Sequence, residues 1–328
     1  MKKTRQYEVY EGSRRILRTK VHAKAHEYLS KQINSSFEFY FVCCNREHLL
    51  ACSRFFELTG RRLNVLISYN FIRDRYLTQV LQQVRPHLSK VMIDSGAFHV
   101  LIRKVPLEKF QSYIGEYVNW LNNHTELYDY CVAPDVPCDE RPAEKIQKLP
   151  NRYKIELTIA NTVHWIDRLT DPRKAVAVVQ GYFVNEYLLC AEKLKELGLT
   201  TAKTGVGSLC VRKYSRQQAR EVPQILASIR QVLPSWVKLH AFGLQLDFLP
   251  TCLKYLHSSD SASWQLSYSK FNRIRIANLS TGQTVELDLV SHGGARKKNL
   301  DQVTIYTYNL LAYWNRVQQL TRQAAQTK

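Results

Sequence analysis

Val91-Met92-Ile93-Asp94-Ser95-Gly96-Ala97-Phe98 reads as a buried strand that ends on a carboxylate. The apolar run stops at Asp94, Gly96 permits a tight turn, and the ring of Phe98 follows. Parallel α/β enzymes mount catalytic groups in this way, at the carboxyl end of a strand. Taken alone the stretch is a weak signal, because an Asp after a strand also caps helices. The segments on either side decide its meaning.

Upstream, Phe37–Cys44 (FEFYFVCC) and Leu63–Tyr69 (LNVLISY) are apolar on both faces, as buried parallel strands are. Glu47–Glu57 and Tyr76–Val84 read as the helices after them. Lys90–Ile93 is the third strand, and Leu107–Asn122 a helix with Phe110, Ile114, Tyr117, Val118 and Leu121 at core spacing. Tyr128–Val132 is a fourth strand running into Ala133-Pro134-Asp135-Val136-Pro137, where the prolines enforce an extended loop. A long helical segment then extends through Leu169.

Ala175–Val179 ends in Gln180-Gly181, and Glu186–Leu197 is a helix closed by Gly198. Ala202–Val206 leads to Gly207-Ser208, Arg216–Val232 is a helix, and Lys238–Phe242 ends in Gly243. Leu249–Leu256 reads as a helix and Ser258–Ser261 as a short eighth strand. This alternation predicts a (β/α)8 TIM barrel. An open doubly wound sheet is the second choice, and the Gly-rich fingerprint expected after its first strand is missing. Arg273–Ala277 and Val285–Val290 around Ser280-Thr281-Gly282 predict a small β-hairpin near the C-terminus, and Leu300–Arg322 a terminal helix. The expectation is one domain: a basic arm over 1–36, with a short helix at Val21–Gln32, a barrel core over 37–270, and the hairpin and helix over 271–328.

The 328 residues carry a formal charge of +19, which points to a polyanionic partner, nucleic acid before an anionic membrane surface. The eight cysteines include no CxxC pair, so the reading is a reducing, cytoplasmic setting without a disulfide framework. No apolar segment reaches the length of a membrane span, and the basic N-terminus is not followed by the apolar core of a secretion signal.

Asp94, Asp135, Gln180 with Gly181, Gly207 with Ser208, and His240 with Gly243 each belong to the end of a strand read above, and Asp260 lies in the short eighth strand. A barrel brings all of these ends to one face. One polar strand end is ordinary; six in succession are costly to bury without a purpose. Two carboxylates at one site suit glycosidic chemistry, and an amide beside backbone N–H groups can read the edge of a heterocyclic base.

Asp94-Ser95-Gly96-Ala97-Phe98, Ala133-Pro134-Asp135-Val136-Pro137, Val179-Gln180-Gly181, Gly205-Val206-Gly207-Ser208-Leu209 and Asp260-Ser261-Ala262-Ser263-Trp264 together resemble, in order and spacing, the tRNA-guanine transglycosylase superfamily. The resemblance is closest to its deazapurine-in-DNA members, and it spans residues 37–270. It implies Asp260 as the nucleophile on C1′ of the target nucleoside and Asp94 as general acid/base. It also implies base recognition by Asp135, Gln180 with Gly181, and the backbone at Gly207 and Ser208. Phe98 would stack on the base, and His240 would be a further base-packing side chain. The implied substrates are DNA and a 7-deazaguanine base such as 7-cyano-7-deazaguanine, with accessory proteins of a DNA-modification system as possible partners.

The zinc-binding CxCxxC group of the tRNA enzymes has no counterpart, since the last cysteine, Cys252, precedes Asp260. No cofactor or metal is therefore expected, and tRNA becomes the second choice of polymer. A catalytically silent nucleic-acid-binding barrel and a glycosidase acting on a soluble sugar are further alternatives. Expected phosphate contacts are the N-terminal cluster Arg14, Arg15, Arg18, Lys20 and Lys24, then Arg212, Lys213, Lys270, Arg273, Arg275, Arg296, Lys297 and Lys298.

Overall fold

The computed structural model describes residues 8–11, 14–18, 37–97, 107–138, 149–212, 214–265, 273–277, 284–288 and 301–326. A two-stranded antiparallel ribbon comes first, β1 (Glu8–Glu11) with β2 (Arg14–Arg18). The barrel follows: β3 (Glu38–Cys43), α1 (Arg46–Thr59), β4 (Leu63–Ser68), the short α2 (Tyr69–Ile72), α3 (Arg75–Val84), β5 (Leu88–Asp94) and α4 (Leu107–Asn123). It continues with β6 (Tyr130–Val132), α5 (Asn151–Ile166), β7 (Ala175–Val179), α6 (Val184–Glu196), β8 (Lys203–Val206), α7 (Gln218–Val232), β9 (Lys238–Ala241), α8 (Leu249–Cys252) and β10 (Ser258–Ser261). A hairpin, β11 (Arg273–Ala277) with β12 (Thr284–Asp288), and a final helix, α9 (Gln302–Gln326), complete the described elements.

Strands β3 to β10 pair in parallel and in sequence order, and β10 returns to β3, so the sheet closes as a (β/α)8 barrel. Local chemistry sets the joints. Asn45 accepts from the N–H of His48 to cap α1, and Gly60, at φ +68°, ends it. Asp74 caps α3 by accepting from the N–H groups of Tyr76 and Leu77.

Alternation along β3 sends Tyr40 and Val42 into the barrel and Phe39, Phe41 and Cys43 outward onto the helices. The lumen is filled by Tyr40, Leu66, Met92, Val132, Val176 and Val178. The outer layer over β3 is closed by α9, whose Tyr306, Leu310, Tyr313 and Trp314 join the cluster of Phe39, Phe41, Phe55 and Trp264. Helix α9 lies between α1 and α8 and also packs on β11. It is therefore the eighth barrel helix, and residues 262–301, with the β11–β12 hairpin, form a long eighth strand-to-helix connection.

The expected hairpin and terminal helix are both present. The helix expected over Leu249–Leu256 stops at Cys252, because the chain must turn at once to enter β10. The N-terminal arm holds a ribbon that composition did not announce: its register sets Glu8 opposite Arg18 and Glu11 opposite Arg14. The helix expected at Val21–Gln32, and Lys20 and Lys24, lie outside the described residues.

Candidate active site

Successive strand residues point to opposite sides. Asp94 thus shares the inward face with Met92, Gln180 with Val178, Phe242 with His240, and Asp260 with Ser258. The polar strand ends form one layer above the apolar lumen, at the carboxyl mouth of the barrel.

Asp94 is the last residue of β5, and its register partner on β4 is Ser68. The N–H of Gly96 donates to Asp94 Oδ2 at 3.0 Å. Gly96 sits at φ +74°, where a Cβ would meet the Tyr113 hydroxyl at 2.6 Å and Ser68 Oγ at 2.7 Å, so the turn requires glycine. Tyr113 donates to the Ser95 carbonyl at 2.8 Å, fixing the turn from the side of α4. Burial, the charge of Asp135 and, to a smaller degree, that of Asp260 push the Asp94 carboxyl up to about 7, against the Gly96 N–H, which favours the charged form. Asp94 is therefore poised to hold or release a proton near neutral pH.

Gln180 bridges two neighbours. Its Nε2 donates to Asp135 Oδ2, and its Oε1 accepts from Ser208 Oγ at 2.8 Å. Ser208 Oγ in turn accepts from the N–H of Cys138 at 2.9 Å, and the N–H of Val136 donates to Thr158 Oγ1 at 2.9 Å. These bonds tie the Ala133–Cys138 loop to β7 and β8. Ser208 holds φ +58°, the only left-handed non-glycine residue among those described, and such strain persists only where the surroundings over-determine it. Burial raises Asp135 to about 6, opposed by the Gln180 amide. A Cβ on Gly207 would collide with the Gln180 amide, and one on Gly181 would meet the N–H of Tyr187 at 2.7 Å. Both glycines make room for their neighbours. Gln180 is itself fully buried with both polar atoms of its amide engaged, so it fixes the Asp135 carboxylate, a hydrogen-bond acceptor, at the mouth.

Asp260 ends the third array. His240 Nε2 lies 3.1 Å from Asp260 Oδ1, and the N–H of Gly243 donates to the same oxygen at 2.9 Å. His240 Nδ1 lies 2.9 Å from Ser258 Oγ, which also accepts from Lys203 Nζ at 3.2 Å. An aspartate carboxylate offers only acceptors, so Nε2 carries the ring proton and donates to Asp260, and the unprotonated Nδ1 accepts from the Ser258 hydroxyl. Burial lowers the His240 pKa, opposed by Asp260, which leaves the ring neutral at neutral pH. Among the described residues no hydrogen bond reaches Asp260 Oδ2. One carboxylate oxygen accepts twice, and the other has no partner among the described residues. Trp264, fully buried, donates its Nε1–H to the Val42 carbonyl at 3.0 Å and anchors the segment that follows Asp260.

Below Ser258 the chain of polar groups continues to the opposite end of the barrel. Glu38 accepts from Lys203 Nζ at 2.8 Å and from the Tyr40 hydroxyl at 3.0 Å, and it pairs with Lys90 and His257. Burial alone would raise the Glu38 carboxyl, but hydrogen bonds from His257, Lys203 and Lys90 outweigh it and hold the group well below the usual range. Charges this deep are tolerable because each is paired.

Asp94, Asp135, Gln180, Gly207, Ser208 and Asp260 thus meet at one mouth. His240 does not line it as a base-packing group: it is fully buried beneath Asp260, and both its nitrogens are engaged. The half-buried ring at the mouth is Phe242, two residues on, over Gly205, where a Cβ would strike the ring. The period of two from His240 was the signal that could have identified it. Arg212 is not a phosphate contact. Its guanidinium is buried, bonded to Gln218 and the Tyr182 carbonyl, and stacked on the Tyr182 ring at 4.4 Å. Arg273 and Arg275 stand opposite Asp288 and Glu286 in the hairpin register. Phe98, Lys213, Lys270, Arg296, Lys297 and Lys298 lie outside the described residues.

All eight cysteines are free, and among the described residues no group of three or more His, Cys, Asp or Glu side chains is placed to hold a metal. Among those residues, too, no helix is long and apolar enough to cross a membrane. An open concavity of about 710 Å³, lined by Arg62, Arg85, Pro86, Ser89 and Glu126 among others, belongs to the amino-terminal ends of the strands, away from Asp94 and Asp260. No protein-family model matches the chain, and no curated protein sequence matches it significantly.

Proposed function

We propose that this chain exchanges a guanine base in a nucleic acid, DNA before tRNA, for a 7-deazaguanine. The observation that carries the reading is the division of labour between the two inward carboxyls: Asp94 keeps a proton near neutral pH, while Asp260 presents one oxygen held by two donors and one without a partner among the described residues. That pairing suits a double displacement at a sugar carbon.

Asp260 Oδ2 attacks C1′ of the target nucleoside, forming a C–O bond as the C1′–N9 bond to guanine breaks. Asp94 gives its proton to the departing N9. The incoming 7-deazaguanine gives its own N9 proton to the Asp94 carboxylate as N9 attacks C1′, and the Asp260 carboxylate leaves. The bonds and protons balance without a cofactor, and two displacements retain the configuration at C1′. Asp135, held in place by Gln180 and Ser208, presents one acceptor edge to whichever base occupies the pocket, so leaving and entering bases of the same edge chemistry are held alike. The sequence resemblance supports this assignment residue by residue, and the +19 charge supports a polymeric, phosphate-bearing substrate. The thiol usage fits a cytoplasmic setting.

The test is incubation of the protein with DNA or tRNA and labelled 7-cyano-7-deazaguanine, followed by mass spectrometry of the nucleosides. We expect label in DNA and release of free guanine. Asp260→Asn should abolish both the exchange and a denaturation-resistant protein–DNA adduct. Label in tRNA alone would reassign the polymer, and full activity in Asp260→Asn would remove the nucleophile.

A further inference from the structure

A barrel hides most of its large apolar side chains, so the position of those left in water is informative. Among the described residues seven are exposed. Leu197, which ends α6, and Trp236, just before β9, belong to the amino-terminal ends of the strands. The other five are on the catalytic face. Tyr76 is the second residue of α3, Tyr153 the third of α5, and Phe183 the N-cap of α6, while Val211 and Tyr214 lie between β8 and α7. A helix that follows a barrel strand starts at the strand's carboxyl end, so all five belong to the rim around Asp94 and Asp260.

Four of these five are aromatic, and cations accompany the tyrosines. Exposed Arg75 precedes Tyr76, exposed Arg152 precedes Tyr153, and exposed Arg216 follows Tyr214 by two residues. Arg152 also pairs with Glu156 at 3.5 Å, whereas Arg75 and Arg216 make no ion pair among the described residues. A ring beside a guanidinium, repeated around one mouth, matches the repeat of a nucleic-acid strand, with base faces for the rings and phosphates for the cations. A closed duplex has no use for exposed rings, because its base faces are already stacked and it offers only groove edges and phosphates.

We infer that the rim is a stacking platform for an unpaired strand: the nucleotides that flank the target guanine bind here with their bases unstacked, on Tyr76, Tyr153, Phe183 and Tyr214. The inference rests on the proposed base exchange and adds the form of the substrate to it. A strand already opened spares the enzyme the cost of extracting the guanine from a stack.

The experiment is fluorescence anisotropy with one labelled guanine-containing DNA sequence in three forms: single-stranded, fully paired, and paired except for a bubble around the guanine. Single strand and bubble should bind at least about tenfold more tightly than the duplex at equal salt. Phe183→Ala, Tyr76→Ala and Tyr214→Ala should each weaken binding of the open forms roughly five- to fiftyfold, and leave duplex binding unchanged. Tyr214→Phe, which keeps the ring, should bind as the parent does, as should Trp236→Ala on the opposite face. Equal affinity for all three forms, or rim variants that bind the open forms normally, would overturn the inference. Base exchange measured on the same bubble separates the two ideas. Exchange by a protein indifferent to rim substitution removes the platform alone, and rim-dependent binding without exchange into any nucleic acid removes the transglycosylase alone.

Discussion

At Asp260 two donors converge on one carboxylate oxygen, and one of them is a histidine held from behind by Ser258. The acceptor-only carboxylate selects the Nε2–H tautomer, and in the proposed reaction His240 would act through Asp260 as a positioning residue rather than on the base. Hydrogen bonds to charged groups are worth about 1.5–3 kcal/mol, so His240→Phe should lower kcat roughly 10- to 100-fold with KM little changed. His240→Gln, which can donate to Asp260 and accept from Ser258, should recover most of that loss. Steady-state kinetics on both variants checks this; a folded Phe variant with parental kcat would refute it. Asp94 was legible in the sequence because it ends an apolar run within a motif, and Asp260, which follows His257-Ser258-Ser259, was legible through its motif alone. The role of His240 was not, since its meaning depends on Ser258, a strand-opening residue that carries no motif. Arg212 misled for a related reason: a positive charge in a loop reads as a surface feature until its guanidinium is seen to be spent on internal partners.

Element by element, seven of the eight strand–helix units were legible because apolar runs and helical spacing alternate with little between them. The eighth was not. Helix α9 closes the layer over β3, yet residues 262–301 separate it from β10, so sequence spacing marks it as an appendage. As a barrel helix it should carry the energetics of one. Leu310 is fully buried in the cluster with Phe39 and Phe41, and Leu310→Ala should cost about 2–5 kcal/mol of stability. Urea denaturation of the whole protein measures this, and a loss below about 1 kcal/mol would mean that α9 is only laid against the surface. The ends of the strands were the least legible boundaries. Asp94 proved to be the last residue of β5 itself, which is why its side chain alternates inward with Met92.

For the molecule as a whole, the half-buried carboxyls make the barrel mouth a source of instability that depends on pH. Asp94, raised from 3.8 to about 7, keeps its proton in the native state at pH values where the unfolded chain has already lost it. The unfolded state then binds fewer protons, so stability falls as pH rises from about 4 to about 7 and levels off above that. Asp135, raised to about 6, adds a loss of the same sign over a narrower window. Asp94→Asn should therefore be more stable than the parent by up to about 4 kcal/mol near pH 8, with little difference near pH 4. Thermal melts at the two pH values test the sign, and a variant less stable than the parent near pH 8 would contradict it. If the proposed exchange holds, activity should decline above pH 7 for the same reason, as Asp94 would lose the proton assigned to the leaving base.

The placement of α9 also bears on biosynthesis. Strand β3 is the first barrel strand to be translated, and α9, which covers its outer face, comes only after all eight strands. Until α9 is made, Phe39, Phe41 and Trp264 lack the cover of Tyr306, Leu310, Tyr313 and Trp314, and β10 and β3 meet without the helix that shields their seam. Contacts between segments so distant in sequence form late and slowly. A nascent chain can thus pair its early strands while still on the ribosome, but the seam that carries Asp260 is sealed only when α9 arrives. Translation order would then make the seam between β10 and β3, where Asp260 sits, the last part of the barrel to be closed.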